Sequence, residues 1–170
     1  MAHEIDRKWV SHGFTCVVLA LDRGHRCGYV GVPESHPLHG KDYGDVMPGV
    51  TSDDLAEQPI GNRGIIPVFL FACGTENTVR LDCYFNVHGG LTYAGGGKYP
   101  IDQPGTWWFG FDCAHCDDAT DQEILARFSR SEVFPWEGII RSEAYVIAEC
   151  ESLAEQLADV AAMLAERGKP

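Results

Sequence analysis

The chain has 170 residues, 45% of them apolar and 22% charged, enough apolar matter for one folded core and too ordered a composition for wholesale disorder. Its formal net charge is −12, and its 13 Lys and Arg are nowhere clustered, so the cationic footprint that nucleic-acid binding needs is lacking and an anionic membrane surface is disfavoured. No apolar run approaches the ~20 residues of a membrane span, and the opening MAHEIDRKWV lacks the apolar stretch of a secretory signal, so a cytoplasmic protein is expected.

Residues 14–21 (FTCVVLAL) form a β-branched apolar run, Asp22-Arg23-Gly24-His25 a turn, and 26–32 (RCGYVGV) a second extended run. Together they predict a hairpin. From Pro33 to about Gly64 the chain is rich in Pro, Gly and Asp and has neither the helix nor the strand period, apart from one helical turn expected at 53–58. A loop this long is usually functional or mobile, and a lid over a pocket is the expectation. Residues 65–73 (IIPVFLFAC) predict a third strand, and 78–88 (TVRLDCYFNVH) a fourth. In the latter, Val79, Leu81, Cys83, Phe85 and Val87 alternate with polar positions, the period of a half-buried strand. Gly89 and Gly90 end it, and the glycine-rich LTYAGGGKYP follows. Residues 106–112 (TWWFGFD) predict a fifth strand, and a short helix starts near Asp121.

The last segment predicts a long helix. Ser142 caps it, Glu143 sits in its first turn and Gly168 lies past its end. Ile147, Cys150, Ala154, Leu157, Ala161 and Leu164 recur at helical spacing, widened by Val146, Leu153 and Val160. A stripe this wide belongs against a sheet, although the spacing also fits a coiled-coil homodimer. Strands first and a long helix last predict a single α+β domain over residues 1–170, a mostly antiparallel sheet packed on the C-terminal helix.

The chemistry concentrates at strand ends. His88 closes the polar face of 78–88, and Asp112 closes the 106–112 run on the face of Trp108 and Gly110. If the two strands are neighbours, His88 and Asp112 meet, with His115 in the following turn. A carboxylate beside an imidazole orients it and raises its basicity. Glycines 89, 90 and 110 would let a ligand approach the backbone. Tyr93 and Trp108 are the expected walls, Lys98 the cation that meets an anionic ligand beside free backbone N–H groups of residues 95–97, and His36 a contact brought by the lid.

Other motifs carry less. Residues 95–98 (GGGK) fail the phosphate-loop template, because Thr92 stands in place of its first Gly and Tyr99 follows Lys98. Cys113-Ala114-His115-Cys116 resembles a redox pair, but Asp112, Asp117 and Asp118 disfavour a thiolate there and no βαβ unit precedes it. As a zinc clip it supplies two thiolates where a structural site needs four ligands. A divalent metal on His and Asp ligands, with water in an open position, is the cofactor expected of a hydrolytic version. His36 and His39 are three apart, yet Pro37 argues against a helix between them. The seven Cys read as reduced thiols, several of them small buried residues.

The blocks HRCGYVGVPESHPLHGKDY (25–43), NVHGGLTYAG (86–95), WWFGFDCAH (107–115) and EAYVIAECESLAEQL (143–157) resemble a family of small uncharacterised proteins of bacteriophages and bacteria, notably actinobacterial ones. A small residue often stands in that family where Cys116 is here, which weakens a mechanism through the Cys pair. The resemblance transfers no catalytic residue. It implies a phage or prophage setting, where small proteins bind host factors or capture or destroy nucleotide signals.

The residues therefore predict a protein that binds a small, nucleotide-like ligand in a pocket of His88, Asp112 and His115. The first alternative is a hydrolase of the phosphodiesterase kind, with His88 as general base and Asp112 as its orienter or a metal ligand. The second is an acidic decoy that binds a host protein through its surface.

Overall fold

The computed structural model describes residues 2–51, 53, 77–130 and 137–167. The apolar run β2 (Phe14–Leu21) pairs antiparallel with β3 (His25–Pro33) across the turn at 22–24, the hairpin expected from the sequence. β3 then pairs antiparallel with β5 (Thr106–Asp112), and β5 with the short β4 (Tyr93–Gly95). β1 (His3–Ser11) adds to the outer side of β2, giving a five-stranded sheet in the order β1-β2-β3-β5-β4. All these pairings are antiparallel.

β1 was not expected as a strand. HEIDRKWVS is charged and largely exposed, as suits an edge whose side chains face water. Its register shifts between Ile5 and Arg7, so Asp6 is left out of the pairing. The bulge re-aims that carboxylate. It accepts Arg26 Nε at 2.9 Å and Arg127 Nη2 at 2.7 Å, and Arg26 Nη1 reaches Asp121 at 2.9 Å. The edge is thereby pinned to the segment that follows β5.

Both faces of the sheet are covered, which is why β2 reads as an unbroken apolar run. Cys16, Val18, Val30, Val32, Phe109 and Phe111 face the long helix α3 (Glu143–Arg167). The helix answers with Val146, Cys150, Leu153, Ala154, Leu157 and Val160, all buried. The stripe that also fitted a dimer seam is therefore used within the chain. Val17, Leu19, Leu21, Cys27, Tyr29 and Trp108 form the opposite face, packed with Tyr93, Tyr99 and Ile101. The fold is α+β, as expected. No helix among the described residues is long and apolar enough to cross a membrane.

The expected strand at 78–88 is a correction. Leu81–Tyr84 is a single helical turn, α1, and Arg80 makes only an isolated bridge to Val46. Val79, Leu81, Phe85 and Val87 are buried as the alternation requires, but Cys83 is only half-buried. Leu81 and Phe85 are also i and i+4 on one helical face, so the short pattern fits both structures. The neighbouring loop decides between them: Asp45 and Tyr43 carbonyls accept the Leu81 and Asp82 N–H groups. In its described part, up to Thr51, that loop is no lid. Leu38, Met47 and Val50 are buried in the core. The expected strand at 65–73, residues 54–58 of the expected helical turn, and Gly168 lie outside the described residues.

α3 lies close on the sheet because Gly28 has no side chain. A Cβ there would fall 2.6 Å from Cys150 Sγ and closer still to the Phe111 ring. Gly28→Ala is expected to lower stability by ~1–3 kcal/mol, the usual cost of overpacking. A denaturation midpoint equal to that of the wild type would show that the gap tolerates a methyl group.

Candidate functional site

Antiparallel pairing of β3 with β5 sets Cys27 opposite Asp112. The start of β3 and the end of β5 therefore share one end of the sheet, and the turns at 22–24 and 113–118 rise side by side there. The Asp121 N–H donates to the Gly24 carbonyl at 2.7 Å, tying the two walls together. Between them opens a cavity of about 520 Å³, lined by Asp22, Arg23 and His25 on one side and by Cys113, His115, Asp118 and Thr120 on the other, with Arg130 at its rim.

Asp118 is the hub behind this cavity. It is 3% exposed. Its Oδ2 accepts the His115 N–H at 2.9 Å and His88 Nε2 at 2.8 Å, and its Oδ1 accepts Arg141 Nε at 2.6 Å. Burial alone would raise its pKa, but the hydrogen bonds from Arg141, the His115 N–H and His88 outweigh it and hold the carboxyl below its usual value. An ionised Asp118 requires that His88 Nε2 carry the proton it donates. His88 Nδ1 meets the Tyr145 hydroxyl at 3.1 Å, and its backbone N–H donates to Glu149 at 2.7 Å. Both ring nitrogens of His88 are thus engaged. Arg141 also lies 5.0 Å over the Tyr145 ring, a cation–π contact.

α3 holds this loop with one polar stripe. Tyr145, Glu149 and Gln156 recur at spacings of four and seven. Gln156 accepts the Asn86 N–H at 2.8 Å and donates back to the Asn86 carbonyl at 3.0 Å. The helix starts as expected, with Ser142 Oγ accepting the Tyr145 N–H at 3.2 Å.

His88, Asp112 and His115 do come together, but with the partners exchanged. His88 pairs with Asp118, and Asp112 stands 3.8 Å from His115 Nε2. The two imidazoles are 5.2 Å apart. Asp112 also accepts the Ala114 N–H and the Thr92 hydroxyl, which shape the turn. The Nε2 corner of His115 is buried on Gly89 and has no hydrogen-bond partner among the described residues. Gly89 has φ +67°, and any side chain there would collide with the ring. Nε2 is buried while the side chain as a whole is 35% exposed, so the accessible part of the ring lies away from Nε2. The glycines thus make room for the protein's own rings: Gly110 lies under Tyr29 as Gly89 lies under His115.

The remaining expected contacts lie elsewhere. Trp108 is fully buried, and Tyr93 packs with Tyr29 and Tyr99 on the sheet face away from α3. Neither lines the cavity, because their strand positions direct them to that other face. Lys98 is exposed in the loop between β4 and β5. His36 follows the far end of β3. Its Nδ1 accepts the Leu38 N–H, so Nε2 carries the proton and donates to the Leu157 carbonyl at 3.0 Å. Burial pushes the His36 pKa down, and the ring clasps its loop to α3 as a neutral group. Cys113 is buried, and burial together with the Asp118 charge pushes its thiol up, the opposite of a redox thiolate. Among the described residues no group of three or more His, Cys, Asp or Glu is placed to hold a metal ion.

Sequence reasoning missed Asp118, Arg141 and His25 as parts of this site. Burial comes first in lowering the His25 pKa, against the pull of Asp112. The only sequence signals were the acidic pair after Cys116 and the Tyr145/Glu149 spacing on the helix. Comparison with family models, with curated proteins and with solved structures finds no match to this chain.

Removing the Asp118 charge leaves Arg141 unpaired and His88 without its anchor. Asp118→Asn is expected to cost ~3 kcal/mol near neutral pH, as breaking a buried pair does. Folding lowers this carboxyl's pKa, so the unfolded chain holds the proton more tightly. The stabilisation is complete above the unfolded value of ~3.9 and drains away as pH falls through the lower folded value. Urea unfolding across that acidic range should show a shallower pH dependence in Asp118→Asn. Identical profiles would assign the acid sensitivity to other carboxylates.

Proposed function

We propose that this chain binds a small molecule in the cavity between the 22–25 and 113–120 segments, with His115 and His25 as its polar contacts. The observation that carries the reading is His115 itself. It lines the cavity, its backbone N–H is held by Asp118, its Nε2 lies 3.8 Å from Asp112, and its side chain is 35% exposed. A volume of about 520 Å³ suits a ligand of nucleotide size. The resemblance to phage and prophage proteins favours a signalling nucleotide captured in the cytoplasm of a host. Tyr93 and Trp108 do not line the cavity, so stacking of a base on them forms no part of the proposal.

Hydrolysis in the same cavity is the second reading, favoured by the Asp112–His115 pair. A carboxylate behind Nε2 leaves Nδ1 as the nitrogen available for proton transfer. His88 is a poor base, since both its nitrogens are engaged.

Thermal shift with a panel of nucleosides, nucleotides and cyclic dinucleotides tests the proposal. A ligand at about 100 times its Kd adds ~2.7 kcal/mol to stability and raises the melting temperature. His115→Ala and the cavity-filling Thr120→Tyr should abolish that rise, while Lys98→Ala should retain it. A ligand whose shift survives both cavity substitutions binds elsewhere and ends the proposal.

A further inference from the structure

We infer that the ligand of this cavity is a small organic anion, held through a phosphate or carboxylate group by Arg23 with His25 and His115. The inference rests on the cavity reading above and adds the charge of the ligand.

The argument is an accounting of the charged groups that line the cavity. Asp118 has both oxygens committed, to Arg141, His88 and the His115 N–H. Asp22 is 5% exposed and pairs with Arg130 at 2.7 Å. Asp118 is thus fully committed, and the Asp22 charge is already neutralised through Oδ2 by Arg130. Arg23 is different: it is exposed and has no hydrogen-bond or ion-pair partner among the described residues. Its guanidinium is a planar fork of donors that matches two oxygens of a carboxylate or phosphate.

The imidazoles point the same way. His25 sits beside Arg23 at the start of β3; burial comes first in lowering its pKa, Asp112, Asp118 and Asp22 pull it up, and Arg23 pushes it down. An anion between them would reverse that repulsion and let His25 donate from a protonated ring. His115 stands on the opposite wall, its Nε2 3.8 Å from Asp112. A neutral ligand would leave Arg23 unmatched, and a cation would meet it as a like charge. The cavity exceeds the size of a bare phosphate, so an organic body accompanies the anionic group.

Titration calorimetry with adenosine 5′-monophosphate, adenosine, inorganic phosphate and citrate tests the inference, at low and high salt. At least one of the anions should bind, adenosine at least tenfold more weakly than its monophosphate, and added salt should weaken the anion. R23Q should weaken it about tenfold, with R23K recovering part of the loss. Arg23 is exposed, so circular dichroism should show R23Q folded. Citrate binding in place of the monophosphate would assign the site to carboxylates. Adenosine binding as well as its monophosphate, R23Q binding like the wild type, or no binding of any anion overturns the inference. A neutral ligand from the wider panel that depends on His115 would then leave the cavity reading standing; the lack of any His115-dependent ligand would remove both.

Discussion

Around a single buried carboxylate, Asp118, three stretches of chain that are far apart in sequence are brought into one place. The loop at 86–90 arrives through His88, the turn after β5 through the His115 N–H, and the approach to α3 through Arg141. A charge this buried is tolerated only when it is paired and fully hydrogen-bonded, so each of the three donors is required by the other two. That requirement makes the local geometry rigid. It also explains why an exposed-looking polar run, DCAHCDD, holds a residue buried as deeply as the core.

The same carboxylate divides the labour between two histidines. His88 is the mortar, with Asp118 on one nitrogen and Tyr145 on the other. His115 is the ring presented to the cavity, seated on Gly89 and backed by Asp112. The two imidazoles are alike in type and only 5.2 Å apart, so their roles are set by partners rather than by identity.

The sheet supplies the platform. Its antiparallel pairing places the hairpin turn and the turn after β5 at one end, and the Asp6–Arg26–Asp121 chain of ion pairs braces that end from the edge strand. The Asp121 side chain also caps α2 (Gln122–Arg127), accepting the Glu123 and Ile124 N–H groups. One residue thus starts a helix, joins the cavity walls and completes an ion network. On the other face, Tyr29 and Tyr99 share a hydrogen bond of 2.6 Å under Tyr93, so the aromatic residues that look like ligand platforms in the sequence are spent on packing.

Local pattern alone was enough for the hairpin, the bounds of β5, the long capped helix and its buried stripe, because each is set by spacing within its own segment. Its meeting of His88 with Asp112 depended on 78–88 being a strand beside 106–112, and Leu81–Tyr84 is instead a helical turn. It misread 78–88, where Leu81 and Phe85 satisfy both periods, and overlooked β1, whose charges mask an edge strand. Which carboxylate meets which imidazole, that Arg23 and His25 share a cavity with His115, and that Trp108 faces away from it were decided by the tertiary structure. These juxtapositions bring together residues as many as 92 apart in sequence, in the case of Arg23 and His115, and only strand order, register and the need to neutralise a buried Asp118 select them.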